Sequence, residues 1–289
     1  MINSPPHNFF FFFFLKMMKN SVFLFFCFLF VCLSSSVEGE LRGRFIHLTD
    51  THILNEYMVG GDPKQYCVQG KGTGDAGEFG DYHCDPPPTL QNFTKESLKK
   101  REKPDFILYG GDHAAYFDQK KSLDETLVVI KNIAQDLREI QAAYGTDVRV
   151  FPMLGNHDSY PDFQMPEKGP FYVYETAAEA WKDFLSPESQ KTVRMGGYYT
   201  ELIAPGLRLV VVNTAMYFMG NFVFPQTLVD PGGQLAWMRS VLQHAKETGE
   251  YVFLAAHIPP GSTFTVCIFI LFLCCFYRLF HFCLLTNID

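Results

Sequence analysis

The chain has 289 residues, enough for one large or two small domains. A formal net charge of -7 and a pI near 5.7 exclude a nucleic-acid binder held by a basic face. Aromatic residues make up 16%, but sixteen of the 30 Phe fall in residues 9–30 and 267–285, so the fold is read from residues 41–266.

Residues 1–39 read as a secretory signal segment. Lys16 and Lys19 form its positive flank, residues 21–33 are apolar, and residues 34–39 supply small side chains near a cleavage point. An uncleaved anchor is the alternative, but the apolar run is short against the roughly 20 residues of a span. Membrane contact is expected only through this segment or the substrate. Residues 44–49 form a short apolar strand. The loop of residues 53–90 is too long to be idle and is expected to help form the mouth of a site. Its Gly-rich part is flanked by Cys67 and Cys84, the only cysteines of the central region. In an oxidising compartment such a pair reads as a disulfide, two free thiols being the alternative. Asn92-Phe93-Thr94 is a glycosylation acceptor if the chain enters the secretory pathway.

Residues 106–109 form the next strand. Leu123, Leu127, Ile130, Ile133, Leu137 and Ile140 repeat at helical spacing, giving a helix over 122–144 that Gly145 stops. A strand over 147–154 and a helix over 174–185 follow. Residues 197–203 and 207–213 make a hairpin around Pro205-Gly206. A helix over 233–248 and a strand over 251–256 complete the pattern. Strands alternating with helices imply an α/β layered fold, a β-sheet core flanked by helices, with its site beyond the carboxyl ends of the strands.

Four strand ends carry ligand-type side chains: Asp50 and His52, Asp112, Asn156, and His257. Each alone has a plain structural explanation, such as a carboxylate capping a turn or a satisfied core histidine. Five such groups at four consecutive strand ends have no common structural reason. Together they are what a two-metal hydrolytic centre requires.

In this order the motifs resemble the calcineurin-like metallophosphoesterases: Asp50-Thr51-His52, Gly111-Asp112, Gly155-Asn156-His157-Asp158 and Ala256-His257 match four of that family's five blocks. Gly80-Asp81-Tyr82-His83-Cys84-Asp85 and Ala256-His257-Ile258-Pro259-Pro260-Gly261 are similar to its acid sphingomyelinase-like phosphodiesterases. Residues 43–50 are similar as well to the endopolyphosphatases, which are kept as the alternative. The resemblance implies the metallophosphoesterase fold over residues 41–266, incomplete at its C-terminus, and two divalent metal ions, zinc being the expected identity. It implies that Asp50 and His52 hold the first ion, that Asp112 bridges both, and that Asn156 and His257 hold the second. His157 would protonate the leaving oxygen, with Asp158 orienting its ring. The implied substrate is a small phosphorylated molecule (a nucleotide, a phosphorylated head group or polyphosphate) in a secreted or lysosome- or vacuole-like setting.

Two departures stand out. Tyr116 occupies the position where the family carries a His four residues after the bridging Asp, and the neighbouring His113 is expected to point elsewhere. The Gly-His-x-His block is not found after His257, where only His281 follows. Residues 267–289 are expected to be an aberrant apolar tail outside the fold, leaving a weak enzyme or a truncated, inactive product.

Overall fold

The structure, a computed structural model, describes residues 43–68, 74–116, 121–223, 225, 228–259 and 282–286. The signal segment and most of the apolar tail lie outside the described residues. Strands β1 (Phe45–Leu48), β2 (Phe106–Tyr109) and β3 (Arg149–Pro152) form a parallel sheet in that order. Parallel neighbours require crossovers, and here these carry α1 (Pro88–Leu98) and α2 (Leu123–Tyr144). The second sheet has the order β4 (Tyr199–Ala204), β5 (Leu207–Val212), β6 (Tyr251–Ala256), β7 (Phe282–Thr286). The hairpin of β4 and β5 is antiparallel, and β5, β6 and β7 run parallel.

Side chains alternate across the second sheet. Val210, Val212, Val252, Leu254 and Ala256 pack with Leu235, Met238 and Leu242 of the last described helix (Gln234–Thr248). Leu209, Val211, Phe253 and Ala255 join the main core with β2, β3 and α2. Phe253 meets Phe106 and Phe45 edge-on at 5.9 and 5.7 Å, so the two sheets face each other. The layers are therefore helix, sheet, sheet, helix. Each large apolar side chain so buried contributes roughly 1.5–3 kcal/mol, and a one-residue slip would expose the whole set.

Local signals place the helices. Ser122 caps α2 by accepting from Glu125 N at 3.2 Å, and the stripe Ile130, Ile133, Leu137 and Ile140 is buried as its spacing predicts. The helix expected over 174–185 is α3 (Tyr172–Ala180), after which the chain turns. Two helices went unread. The first is α1, which buries no residue; Lys95 ties it to Asp136 and Glu139 of α2 at 2.7 and 2.9 Å. The other is α4 (Pro187–Gly196), largely polar, although Ser186 caps its start and Gly197 closes it at φ +74°. The helix Gln234–Thr248 is α5.

The expectation for residues 267–289 needs correcting in part. Phe282–Thr286 is not outside the fold but pairs with Val252–Ala256, filling an edge of β6. A short apolar run without alternation is the pattern a parallel strand tolerates. No helix of the described residues is long and apolar enough to cross a membrane.

The long loop is closed by the Cys67–Cys84 disulfide, 17 residues apart, with Cys67 fully buried. Cys84→Ser is expected to lower unfolding free energy by about 3 kcal/mol, the chain-entropy value for such a loop. Denaturant unfolding of oxidised protein measures this, and non-reduced peptide mapping should recover the linked pair.

Candidate metal centre

The loops after β1, β2, β3 and β6 converge at one edge of the layers. Asp50 N and His52 N donate to the carbonyls of Gly111 and Asp112 at 2.9 and 3.1 Å, laying the first loop along the second. A Cβ on Gly111 would stand 2.3 Å from Gly155 N, and one on Gly155 would stand 2.1 Å from Asp112 Oδ1. Only glycine lets these two loops touch. Asp50, His52 and Asp112 all lie in the left-handed region, at φ 54°, 38° and 54°. Such residues cost of order 1–3 kcal/mol each and persist only where their surroundings over-determine them.

The over-determining group is Asp158, whose side chain is fully buried. Its Oδ2 accepts from Asp112 N at 2.9 Å and Gly155 N at 2.8 Å, and its Oδ1 accepts from His113 N at 2.7 Å.

Asp112 stands at the middle. Its Oδ1 accepts from His157 N at 2.7 Å, while its Oδ2 lies 3.5 Å from His52 Nε2 and 3.2 Å from His257 Nε2. On one side His52 Nε2 is 3.8 Å from Asp50 Oδ1; on the other His257 Nε2 is 3.1 Å from Asn156 Oδ1. Backbone carbonyls aim both rings. Ala114 O is 3.0 Å from His52 Nδ1 and Gly110 O is 2.8 Å from His257 Nδ1. A carbonyl only accepts, so each Nδ1 carries the hydrogen and each Nε2 is left for the centre. Thr214 Oγ1 accepts from Ile258 N at 2.8 Å and so pins the turn that follows His257.

The charges call for cations. Burial alone would push His52 down, but the neighbouring carboxylates of Asp50 and Asp112 lift it to about 9. Burial likewise opposes the charge on His257, and Asp112 reverses that, again to about 9. Burial would raise the Asp112 carboxyl, yet the His257 charge and its neighbours hold it well below the usual carboxylate range. All three directions favour positive charge among the two carboxylates. Atoms of Asp50, Asp112 and His257 lie within 4.8 Å of one another, close enough to hold one metal ion. The donor set (carboxylate, imidazole and an amide oxygen) suits zinc or a similar divalent ion. Asp50 is more accessible than His52, with its side chain 32% exposed against 19%.

The five ligand-type residues read from the sequence are thus brought together. His157 sits beside them, nearly buried, its ring 5.3 Å from that of His52, 4.6 Å from Tyr116 and 4.7 Å from Phe163. The orienting role expected of Asp158 is corrected. Both of its oxygens are spent on backbone N–H groups, and the carboxylate at His157 Nδ1 is Asp162, with Oδ2 at 3.1 Å. His113 points away, as expected. It is fully buried against Tyr109 at 4.8 Å, with neither ring nitrogen hydrogen-bonded among the described residues, and burial lowers its pKa. Sequence reasoning missed Asp162 and also Lys121, which bonds Asp162 Oδ1 and donates to the His157 carbonyl at 2.8 Å. An acidic residue just past Pro161, five positions after His157, was the available signal. Asn92 lies on the exposed side of α1.

Residues 43–269 match the family described as calcineurin-like phosphoesterase. A sphingomyelinase phosphodiesterase C of Dictyostelium discoideum is 37% identical over 253 residues, covering 84% of this chain and 56% of that protein. The acid sphingomyelinase-like phosphodiesterase 3b of Homo sapiens is 36% identical, covering 76% of this chain and 48% of its own length. A cyclic GMP-AMP phosphodiesterase of Bos taurus is 33% identical, with 79% and 51% covered. The chain thus spans about half the length of the curated relatives it matches. With a match over more than three quarters of its residues, the chain belongs to the calcineurin-like phosphoesterase family.

Proposed function

We propose that this chain is a metal-dependent hydrolase of phosphodiester or phosphoanhydride bonds, of the acid sphingomyelinase-like kind, with residues 41–266 as its catalytic region. The observation that carries the reading is the position of Asp112 Oδ2 between two donor pairs, His52 with Asp50 and His257 with Asn156. Asp50 and His52 would hold one divalent cation and Asn156 and His257 another, with Asp112 serving both. Such ions, zinc in this reading, would supply acidity to water and neutralise charge gathering on the phosphoryl oxygens.

The chain's own residues do the rest. Asp158 and Gly155 keep the shared carboxylate in place through backbone contacts. His157 gives a proton to the departing oxygen, which spares that oxygen from leaving as an alkoxide. The substrate is a small phosphorylated molecule, because the relatives' names specify sphingomyelin-type and cyclic-dinucleotide phosphodiesters and the negative net charge disfavours a polynucleotide. The Cys67–Cys84 bond supports passage through an oxidising compartment, hence a secreted or lysosome- or vacuole-like location in which Asn92 is glycosylated.

A panel of bis(p-nitrophenyl) phosphate, a nucleoside triphosphate, CDP-choline, sphingomyelin and polyphosphate tests the activity. Turnover of polyphosphate alone would favour the endopolyphosphatase alternative. Chelation is expected to abolish hydrolysis, and added divalent metal to restore it. Asp112→Asn is expected to lower kcat by about 100-fold or more, several kcal/mol of lost charge stabilisation, and to reduce bound metal measured by elemental analysis. Wild-type turnover in that variant would sink the two-cation reading.

His157→Ala is expected to retain metal while losing about 100-fold in kcat on substrates with alkyl leaving groups. Nitrophenyl esters, whose leaving groups need little protonation, should lose only a few-fold. Equal losses on both classes would remove His157 from the proton-donor role.

A further inference from the structure

We propose that Asp162, held in register by Lys121, is the positioning residue that sets the tautomer and direction of the His157 ring. This rests on the proton-donor reading of His157, but the geometry that supports it is separate. His157 Nδ1 lies 3.1 Å from Asp162 Oδ2. The other oxygen of that carboxylate, Oδ1, is engaged by Lys121 Nζ. Lys121 is itself fixed, since it donates to the carbonyl of His157 at 2.8 Å and to that of Ala115 at 3.3 Å, and only 9% of its side chain is exposed. Around the imidazole stand the rings of His52, Tyr116 and Phe163, which leave little room for rotation.

A carboxylate can only accept, so the Nδ1 facing it carries the hydrogen. Nε2 is then the nitrogen at which the ring releases and regains its mobile proton. In the hydrolytic step the bond between phosphorus and the leaving oxygen breaks, water supplies the oxygen that replaces it and loses one proton to solvent, and the leaving oxygen takes the proton from Nε2, which solvent then restores. The N–H electron pair stays on the ring, and Nδ1–H remains on Asp162 throughout. Among the described residues no hydrogen bond to Nε2 competes.

Lys121 turns this into a directional device. An ammonium group has donors and no acceptor. In Asp162→Asn the amide oxygen must therefore stay with Lys121, which puts the amide NH2 against His157 Nδ1. Nδ1 has to accept, and the neutral ring is forced into the opposite tautomer, with its hydrogen on Nε2. If Lys121 is also removed, the amide is free to turn its oxygen towards His157, and the original tautomer returns. A purely structural role for Asp162 predicts no such reversal.

The test uses the full chain with 15N-labelled histidine. The His157 resonances are assigned by their loss in His157→Gln, and spectra are taken with the ring neutral. Wild-type protein is expected to show Nδ1–H and an unprotonated Nε2. Asp162→Asn should show the reverse, and Lys121→Met with Asp162→Asn should return to the wild-type pattern. Should the amide variant be too unstable to study, the wild-type tautomer and Asp162→Ala, in which the fixed tautomer becomes a mixture, decide the matter. A wild-type ring with Nε2–H, or an unchanged tautomer in Asp162→Asn, would overturn the proposal. In kinetics, Asp162→Asn should lose about 100-fold in kcat on alkyl leaving groups and only a few-fold on nitrophenyl esters, with metal content unchanged. If His157→Ala shows no dependence on the leaving group, the proton-donor reading fails while the tautomer measurement still judges Asp162. If His157→Ala shows it and Asp162→Asn does not, only the positioning inference fails.

Discussion

Everything at the centre hangs on one buried carboxylate. Asp158 accepts backbone N–H groups from Asp112, His113 and Gly155, and so clasps the ends of β2 and β3 together. Hydrogen bonds to a charged group contribute about 1.5–3 kcal/mol each, and a buried carboxylate lacking them costs several kcal/mol. The clasp holds Asp112 at a positive φ, and that conformation lets Oδ2 face two imidazoles while Oδ1 takes the His157 N–H. Loosening it would move the Asp112 carboxylate, the rings of His52 and His257, and His157 at once.

The same constraint explains what could be read from the chain. The strands were legible as short apolar runs, and the candidate ligands were legible because Asp50, Asp112, Asn156 and His257 stand just past the ends of β1, β2, β3 and β6. Helices α1 and α4 were not, for a physical reason. Their stability comes from ion pairs and caps, Lys95 to Asp136 in one and Ser186 to Ser189 N in the other, and not from an apolar stripe. Adjacency to His157 suggests contact between the side chains of Asp158 and His157. The backbone amides claim Asp158 instead, and the carboxylate that reaches the ring arrives through the turn at Pro161. Partnership across a turn depends on backbone path, and no periodicity encodes that.

Charge balance links the clasp to chemistry. Two carboxylates facing each other's imidazoles at the edge of an apolar core are tolerable only with positive charge among them. Protons on His52 and His257 can supply it, and so can cations bound at the same nitrogens. The carbonyls of Ala114 and Gly110 occupy each Nδ1 in either case, so the rings need not turn when one kind of charge replaces the other. Such an arrangement would take up cations with little movement of its rings.

The left-handed conformations at Asp50, His52 and Asp112 have an evolutionary consequence. At such positions glycine relaxes the backbone, so the replacement that removes a candidate ligand also relieves strain. Selection for sturdiness and selection for turnover therefore pull in opposite directions on the same three codons. A lineage released from the need for catalysis would erode first at these residues while its two sheets and helices stayed intact. Copies with a sound core and glycine at these three positions would mark where that release had happened.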